Sequence, residues 1–346
     1  MIIYWLIKRF RRWREARRAE RAANADEPVR RPPARRPNTS EPLDRDAAIS
    51  VRGLTKAYPG HEAVRGIDFD VRRGEIVAFL GPNGAGKTTT VEILEGYRTR
   101  TAGEARVLGE DPATAGPAWR DSIGVVLQES QPEQYLTVRE CVELYAGYYD
   151  RPRPIDGTLA LVGLEAKAGA VSGTLSGGER RRLDVALALI GDPELVFLDE
   201  PTTGFDPSAR RTAWQVVAGL RDLGKTIFLT THFMDEAEFL ADRIIVLAGG
   251  EIVAEGTPAT LGGRDRSAAR ITFTLPSRLR REQLPTPFAD GDGSGPRIEA
   301  RSTAPFEDLR RLTVWAADAG VDLPDIEVRR ATLEDIYLEL TGATAP

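Results

Sequence analysis

The chain has 346 residues, 41% of them apolar, a net charge of −5 and a single cysteine, Cys141; this is material for about two domains and excludes an intramolecular disulfide or a multi-cysteine zinc site. No run approaches the ~18–20 apolar residues of a membrane-spanning helix, so any role at a membrane is expected to be peripheral. The net charge conceals an asymmetry, because residues 1–38 carry twelve Lys and Arg against four Asp and Glu, which leaves about −13 for the remainder.

Residues 1–22, MIIYWLIKRFRRWREARRAERA, place Ile3, Leu6, Phe10 and Trp13 at helical spacing among arginines, the pattern of a basic amphipathic segment. The charges follow the apolar run and no small-residue cleavage site comes after it, which argues against a secretory signal. Two readings stay open: an interfacial helix in which residues 1–21 contact anionic lipid, or a disordered basic leader, a misplaced translation start included. Residues 23–48 are rich in Pro and Arg and read as a flexible linker. From Ile49 to Gly262 short β-rich runs (IDFDV, EIVAFL, SIGVVLQ, LVFLDE, TIFLTT) alternate with helical patterns, which predicts an α/β sheet with crossover helices. Cys141, within TVRECVELYAGYY, reads as a core thiol on a helix. Gly249-Gly250 inside RIIVLAGGEIVAEG predicts a hairpin turn. A second, smaller unit is expected over 267–346, with a strand at ARITFTL, a helix near 305–319 and a strand and helix in DIEVRRATLEDIYLELTG.

The stretch GPNGAGKTTT, residues 81–90, lies between the apolar run EIVAFL and a helical pattern through Val91 and Leu94. It matches G-x-x-x-x-G-K-[ST], whose glycines let backbone N–H groups turn inward around phosphate oxygens at a helix N-terminus. The nucleotide-binding set is therefore Gly81, Asn83, Gly84, Ala85, Gly86, Lys87, Thr88 and Thr89. Lys87 is expected to reach the outer phosphates, and Thr88 to offer its hydroxyl to Mg²⁺. Downstream, ELVFLDEP ends a buried run in Asp199 and Glu200. Acids at the carboxyl edge of such a sheet suit a metal shell, assigned to Asp199, and polarisation of an attacking water, assigned to Glu200. A helix N-cap region is the plainer reading of this pair, and the phosphate loop upstream is what tips the balance.

Between these two motifs lies LSGGERRRLDVALAL, beginning at Leu175, which resembles the signature of ATP-binding cassette (ABC) ATPases. The resemblance runs over about residues 49–262, with the motifs in the family's order. It implies an α/β fold: a P-loop NTPase (RecA-like) core with antiparallel β and helical subdomains, here followed by a small α+β C-terminal domain of accessory or regulatory type. It further implies that Gln128 in VVLQES is the Q-loop residue serving metal and catalysis, that Asp206 in GFDP belongs to the D-loop, and that His232 in LTTHFMDEAE is the switch histidine facing the γ-phosphate. Tyr58 stands where the family's adenine-stacking aromatic lies, although a tyrosine beside Pro59-Gly60 is also an ordinary turn neighbour. Ser176, Gly177 and Gly178 would close over the ATP held by a second copy, so that two ATPs are sandwiched in a head-to-tail pair. The chain departs from the pattern at Phe205, where leucine is usual, and in the basic run Arg180–Arg182. THFMDEAE and TLEDIYLELTG look most like ATPases of bacterial ABC-2 type exporters. By that likeness the chain is an ATPase with ATP and Mg²⁺ as cofactors, peripheral at the cytoplasmic face of the cell membrane, with a separately encoded transmembrane permease and no nucleic-acid partner. A soluble ABC ATPase acting in protein or cofactor assembly is the alternative.

Overall fold

The computed structural model describes residues 43–127, 133–266, 268–289 and 295–341. The readings of the basic segment 1–22, of the linker up to residue 42 and of Gln128 lie outside the described residues. The chain separates into two compact units, the first ending at Val253 and the second starting at Ala254.

In the first unit, β1 (Ile49–Tyr58) pairs antiparallel with β2 (His61–Val71) and with β4 (Ala102–Val107) in a three-stranded sheet. A six-stranded sheet is built from β3 (Ile76–Leu80), β5 (Ile123–Val126), β6 (Leu195–Asp199), β7 (Thr226–Thr231), β8 (Arg243–Ala248) and β9 (Glu251–Gly256), in the order β5-β6-β7-β3-β8-β9. The pairs β5–β6, β6–β7, β7–β3 and β3–β8 are parallel. Every residue of β3, β6 and β7 is buried, because a parallel sheet is covered on both faces, and so these strands read as unbroken apolar runs rather than alternations. The predicted turn between β8 and β9 is present, with Gly249 at φ 56° and Gly250 at φ 84°, the left-handed pair that a two-residue hairpin turn needs.

The helices of this unit are α1 (Lys87–Leu94), α2 (Pro117–Asp121), α3 (Val138–Ala146), α4 (Ile155–Leu161), α5 (Gly177–Leu189), α6 (Pro207–Asp222) and α7 (Met234–Leu240). Their starts are chemically marked: Thr137 and Ser176 each form a reciprocal capping box with a glutamate three residues on, and Asp206 caps α6 ahead of Pro207. Cys141 on α3 is buried and burial pushes its thiol pKa up, as expected of an inert core thiol.

The two sheets are joined by aromatic packing. The rings of Phe69 on β2, Phe79 on β3 and Phe228 on β7 lie 5.4–5.9 Å apart, and Phe197 on β6 meets Phe228 edge-on at 6.0 Å. Phe228 therefore touches all three neighbours at the centre of the core, and aromatic pairs of this kind add about 0.5–1.5 kcal/mol each beyond simple burial.

The second unit is α+β. It has an antiparallel sheet of β10 (Ala269–Thr274), β11 (Arg297–Ser302) and β12 (Glu327–Arg329) in the order β11-β10-β12, with α8 (Pro305–Asp318) and α9 (Leu333–Thr341). Its own core gathers Ile271, Phe273, Phe288, Ile298 and Leu312.

Phe228→Ala should lower the stability of the first unit by about 3–5 kcal/mol, since the cavity lies between two sheets that cannot collapse independently. Urea unfolding measures this, and a loss near zero would mean that the aromatic cluster is not what joins the sheets.

Candidate active site

The phosphate loop leaves β3 at Leu80 and enters α1 at Lys87. A Cβ on Gly81 would come within 2.4 Å of the Leu247 carbonyl oxygen, and one on Gly86 within 2.4 Å of the Ala63 carbonyl oxygen at φ 102°. Both positions therefore require glycine, by close approach and, at Gly86, by a left-handed backbone as well. The first turn of α1 has no side-chain cap, so its N–H groups are available to an anion. Ala85 is buried, Asn83, Gly84 and Thr88 are exposed, and Thr89 is half-buried. Lys87 is 4% exposed, and its Nζ donates to the carbonyls of Gly81 (2.7 Å) and Pro82 (3.3 Å). Burial pushes the Lys87 pKa down, opposed by the charges of Glu200 and Asp199.

The two acids occupy different environments. Asp199, the last residue of β6, is buried; burial pushes its carboxyl up, against the hydrogen bond from Thr230 and the charge of Lys87. Thr230 Oγ1 donates to Asp199 Oδ1 at 2.5 Å and accepts the backbone N–H of Glu200 at 3.0 Å. Glu200 turns off the strand at φ 44°, a left-handed backbone that costs a non-glycine residue roughly 1–3 kcal/mol. Its carboxylate lies 3.6 Å from Lys87 Nζ through Oε1 and 3.3 Å from His232 Nδ1 through Oε2, and Thr203 Oγ1 donates to Oε2 at 3.1 Å. The structure thus brings Lys87, Asp199, Glu200 and His232 together at the carboxyl edge of β3, β6 and β7.

Other predicted residues gather elsewhere. Ser176 caps α5: Glu179 Oε2 accepts from the Ser176 N–H (2.9 Å) and Oγ (2.8 Å), while Lys167 Nζ stands 3.2 Å from Glu179 Oε1. The bonds from the Ser176 N–H and Oγ, with Lys167, hold the Glu179 carboxyl down at about 2. Ser176, Gly178, Glu179 and Arg182 line a recess of about 310 Å³ together with Asp206 and Ser208. Asp206 Oδ1 accepts from the N–H groups of Ser208 and Ala209, both at 2.9 Å, so its carboxylate serves as a helix cap beside the signature turn. Gly177 is exposed, with nothing within 4 Å of where its Cβ would be. Tyr58 ends β1 with Lys56 Nζ and Arg98 Cζ at 5.0 and 5.4 Å from its ring centre. Sequence reasoning did not find Thr230 and Thr203, which carry no motif of their own. The Ser176–Glu179 capping box was visible in the spacing S-x-x-E.

A glycine-lined phosphate loop at the edge of a parallel sheet, facing two acids and a histidine, defines a P-loop ATPase. Residues 64–203 match the ABC transporter family, and residues 269–332 match a family described as the C-terminal domain of ABC transporter domain-containing protein-like chains. A Nod factor export ATP-binding protein I of Rhizobium sp. is 45% identical over 304 residues, which span 85% of this chain and 97% of that protein. A daunorubicin resistance ATP-binding protein of Streptomyces coeruleorubidus is 36% identical over 305 residues, 86% of this chain and 96% of that protein. Among solved structures, a dimeric ATP-binding cassette in a post-hydrolysis state bound to ADP and Pi superposes with a TM-score of 0.54 at 27% identity, over 60% of this chain and 98% of that one. The chain belongs to the ABC transporter family, as an ATP-binding subunit. No helix among the described residues is long and apolar enough to cross a membrane.

A carboxyl whose pKa is raised on folding favours the fold in its neutral form; that contribution is complete below the ordinary carboxylate range and lost as pH rises through the folded value. Ionised Asp199 therefore weakens the fold at neutral pH. Asp199→Asn, which can still accept from Thr230, should raise the urea midpoint at pH 7.5, with the gain shrinking as pH falls into the carboxylate range. A lower midpoint than wild type at pH 7.5 would contradict this.

Proposed function

We propose that the chain is the motor of an exporter: it binds and hydrolyses ATP as a head-to-tail pair and drives a separately encoded transmembrane permease from the cytoplasmic face of the membrane. The observation that carries the catalytic part is the position of the Glu200 carboxylate, between Lys87 Nζ at 3.6 Å and His232 Nδ1 at 3.3 Å. When ATP enters the loop, Lys87 exchanges the carbonyls of Gly81 and Pro82 for phosphate oxygens. Glu200, thereby released from the lysine, orients and polarises the attacking water, and His232 contacts the γ-phosphate. Tyr58 stacks on adenine, and the N–H groups of Asn83 to Thr89 cradle the phosphates, with Gly81 seating the loop against the Leu247 carbonyl.

The oxygen donors present fit Mg²⁺. Thr88 has an exposed hydroxyl and buried Asp199 supplies a carboxylate; Gln128, assigned by sequence resemblance alone, would add an amide oxygen, and Mg²⁺ needs few protein ligands because it keeps several waters. The bound ion would neutralise charge on the phosphate oxygens.

Pairing is supported by the signature turn. Two glycines open α5, a poor choice for starting a helix on propensity alone, yet nothing within the chain crowds Gly177. A neighbour's nucleotide approaching the backbone of Ser176, Gly177 and Gly178 supplies the missing reason, and Asp206 at the same recess stands to be repositioned as the halves close. Loss of the γ-phosphate then removes the contacts holding the halves together and converts hydrolysis into opening. The names of the relatives, which concern export and drug resistance, favour this reading over soluble assembly work. Residues 267–346 act as an accessory or regulatory domain. Residues 1–21, by their sequence pattern, add an anionic-lipid contact tethered through the linker.

Glu200→Gln should retain ATP binding, abolish turnover and accumulate an ATP-bound dimer, because the near-isosteric amide cannot polarise water as a carboxylate does. Steady-state hydrolysis and size-exclusion chromatography with ATP report the two effects. Near-normal turnover would remove Glu200 from the catalytic role.

A further inference from the structure

Arg181 lies on α5, in the basic run just after the signature turn, and is only 8% exposed. Its guanidinium is taken up by backbone. Nε donates to the Pro201 carbonyl and Nη2 to the Asp199 carbonyl, both at 3.0 Å, while Nη1 donates to the Leu127 carbonyl. Asp199 and Pro201 are the residues on either side of Glu200, and Leu127 immediately precedes Gln128. One side chain thus grips the backbone on both sides of the proposed water-polarising residue and ties it to α5, the helix that Ser176 caps.

Such a contact is costly to keep if packing were its only purpose. Buried cations lose much hydration, and a well-packed apolar side chain of similar volume is often as stable or more so. A guanidinium instead supplies several N–H donors in one rigid plane, which lets it fix three acceptors relative to one another. Glu200 has the left-handed backbone noted above, a conformation that persists only when its surroundings over-determine it.

We propose that Arg181 is a positioning residue for hydrolysis: it holds the Asp199–Pro201 backbone in register with α5 and the Leu127 carbonyl, so that the Glu200 carboxylate stays aimed at its water. The inference rests on the ATPase reading above. It separates catalysis from binding, because Arg181 does not touch the phosphate loop in any of its hydrogen bonds.

The test compares wild type, Arg181→Lys, and Arg181→Met, which removes the buried charge at similar length in case the lysine chain folds poorly; Arg180→Lys is the control. ATP affinity is measured by equilibrium binding, kcat and KM by steady-state hydrolysis, and folding by thermal unfolding. Lysine cannot span three acceptors, so Arg181→Lys should bind ATP within about twofold of wild type while kcat falls by about 10- to 100-fold, the scale expected for a misplacement near 1 Å. A merely structural role would lower Tm and leave kcat per folded molecule unchanged. Either Arg181 variant, folded and retaining kcat within about twofold of wild type, overturns the inference. Glu200→Gln runs alongside: failure of the ATPase reading appears as an active Glu200→Gln chain, and failure of this inference as an active Arg181→Lys chain.

Discussion

Leu80 on β3 lies beside Thr231 on β7, and Thr230 on β7 lies beside Asp199 on β6; the distances among Lys87, Glu200 and His232 depend on this parallel register. Because side chains alternate along a strand, a slip of one residue would turn Thr230 to the face opposite Asp199 and set side chains shaped for one covered face against the other. Phe79, Phe197 and Phe228 belong to these same strands, so the core packing that fixes the register also sets the geometry of the site. The phosphate loop is seated against the same frame, with Gly81 against Leu247 at the end of β8 and Gly86 against Ala63 on β2.

On that frame the chain carries local features that do not favour stability. Asp199 is a buried carboxyl with a raised pKa, Lys87 a buried ammonium with a lowered one, and Glu200 a strained backbone. These groups satisfy one another: Lys87 leans on loop carbonyls and on Glu200, and Thr230 links the Asp199 carboxylate to the Glu200 backbone N–H. Under the proposed function, triphosphate oxygens would offer Lys87 better partners than carbonyls do. Unfavourable groups gathered where chemistry occurs are what a compromise between stability and activity leaves in a structure.

Much of this was legible in the sequence where local chemistry dictates local structure. G-x-x-x-x-G-K-T marks the loop, unbroken apolar runs mark β3, β6 and β7, and Gly249-Gly250 marks the hairpin. β1 and β4 were less visible, because β1 is broken by register shifts between Val51 and Leu54 and near Lys56, and β4 is the polar run AGEARV. Side-chain to backbone links between distant segments left no pattern at all: Thr230 reads as one threonine in TIFLTT, and Arg181 as one arginine in a basic run. Asp206, placed by resemblance in the D-loop, was legible as a residue but not as a cap, a role set by Ser208 and Ala209 once α6 forms. Gly177 remains the position whose identity the single chain does not explain, and the proposed pairing would account for it.

The measurement that bears most directly on the two-chain site is complementation between two inactive variants. Ser176→Arg spoils the surface that would close over a neighbour's nucleotide, while Lys87→Ala spoils the phosphate loop of its own chain. Each alone should hydrolyse ATP at background rate. When the two are mixed, the pair formed by one chain of each contains one site with an intact loop and an intact signature turn, so hydrolysis should reappear and rise with the fraction of mixed dimers. Full activity of Ser176→Arg alone, or no recovery in a mixture shown to contain mixed dimers, would contradict a site shared between two copies.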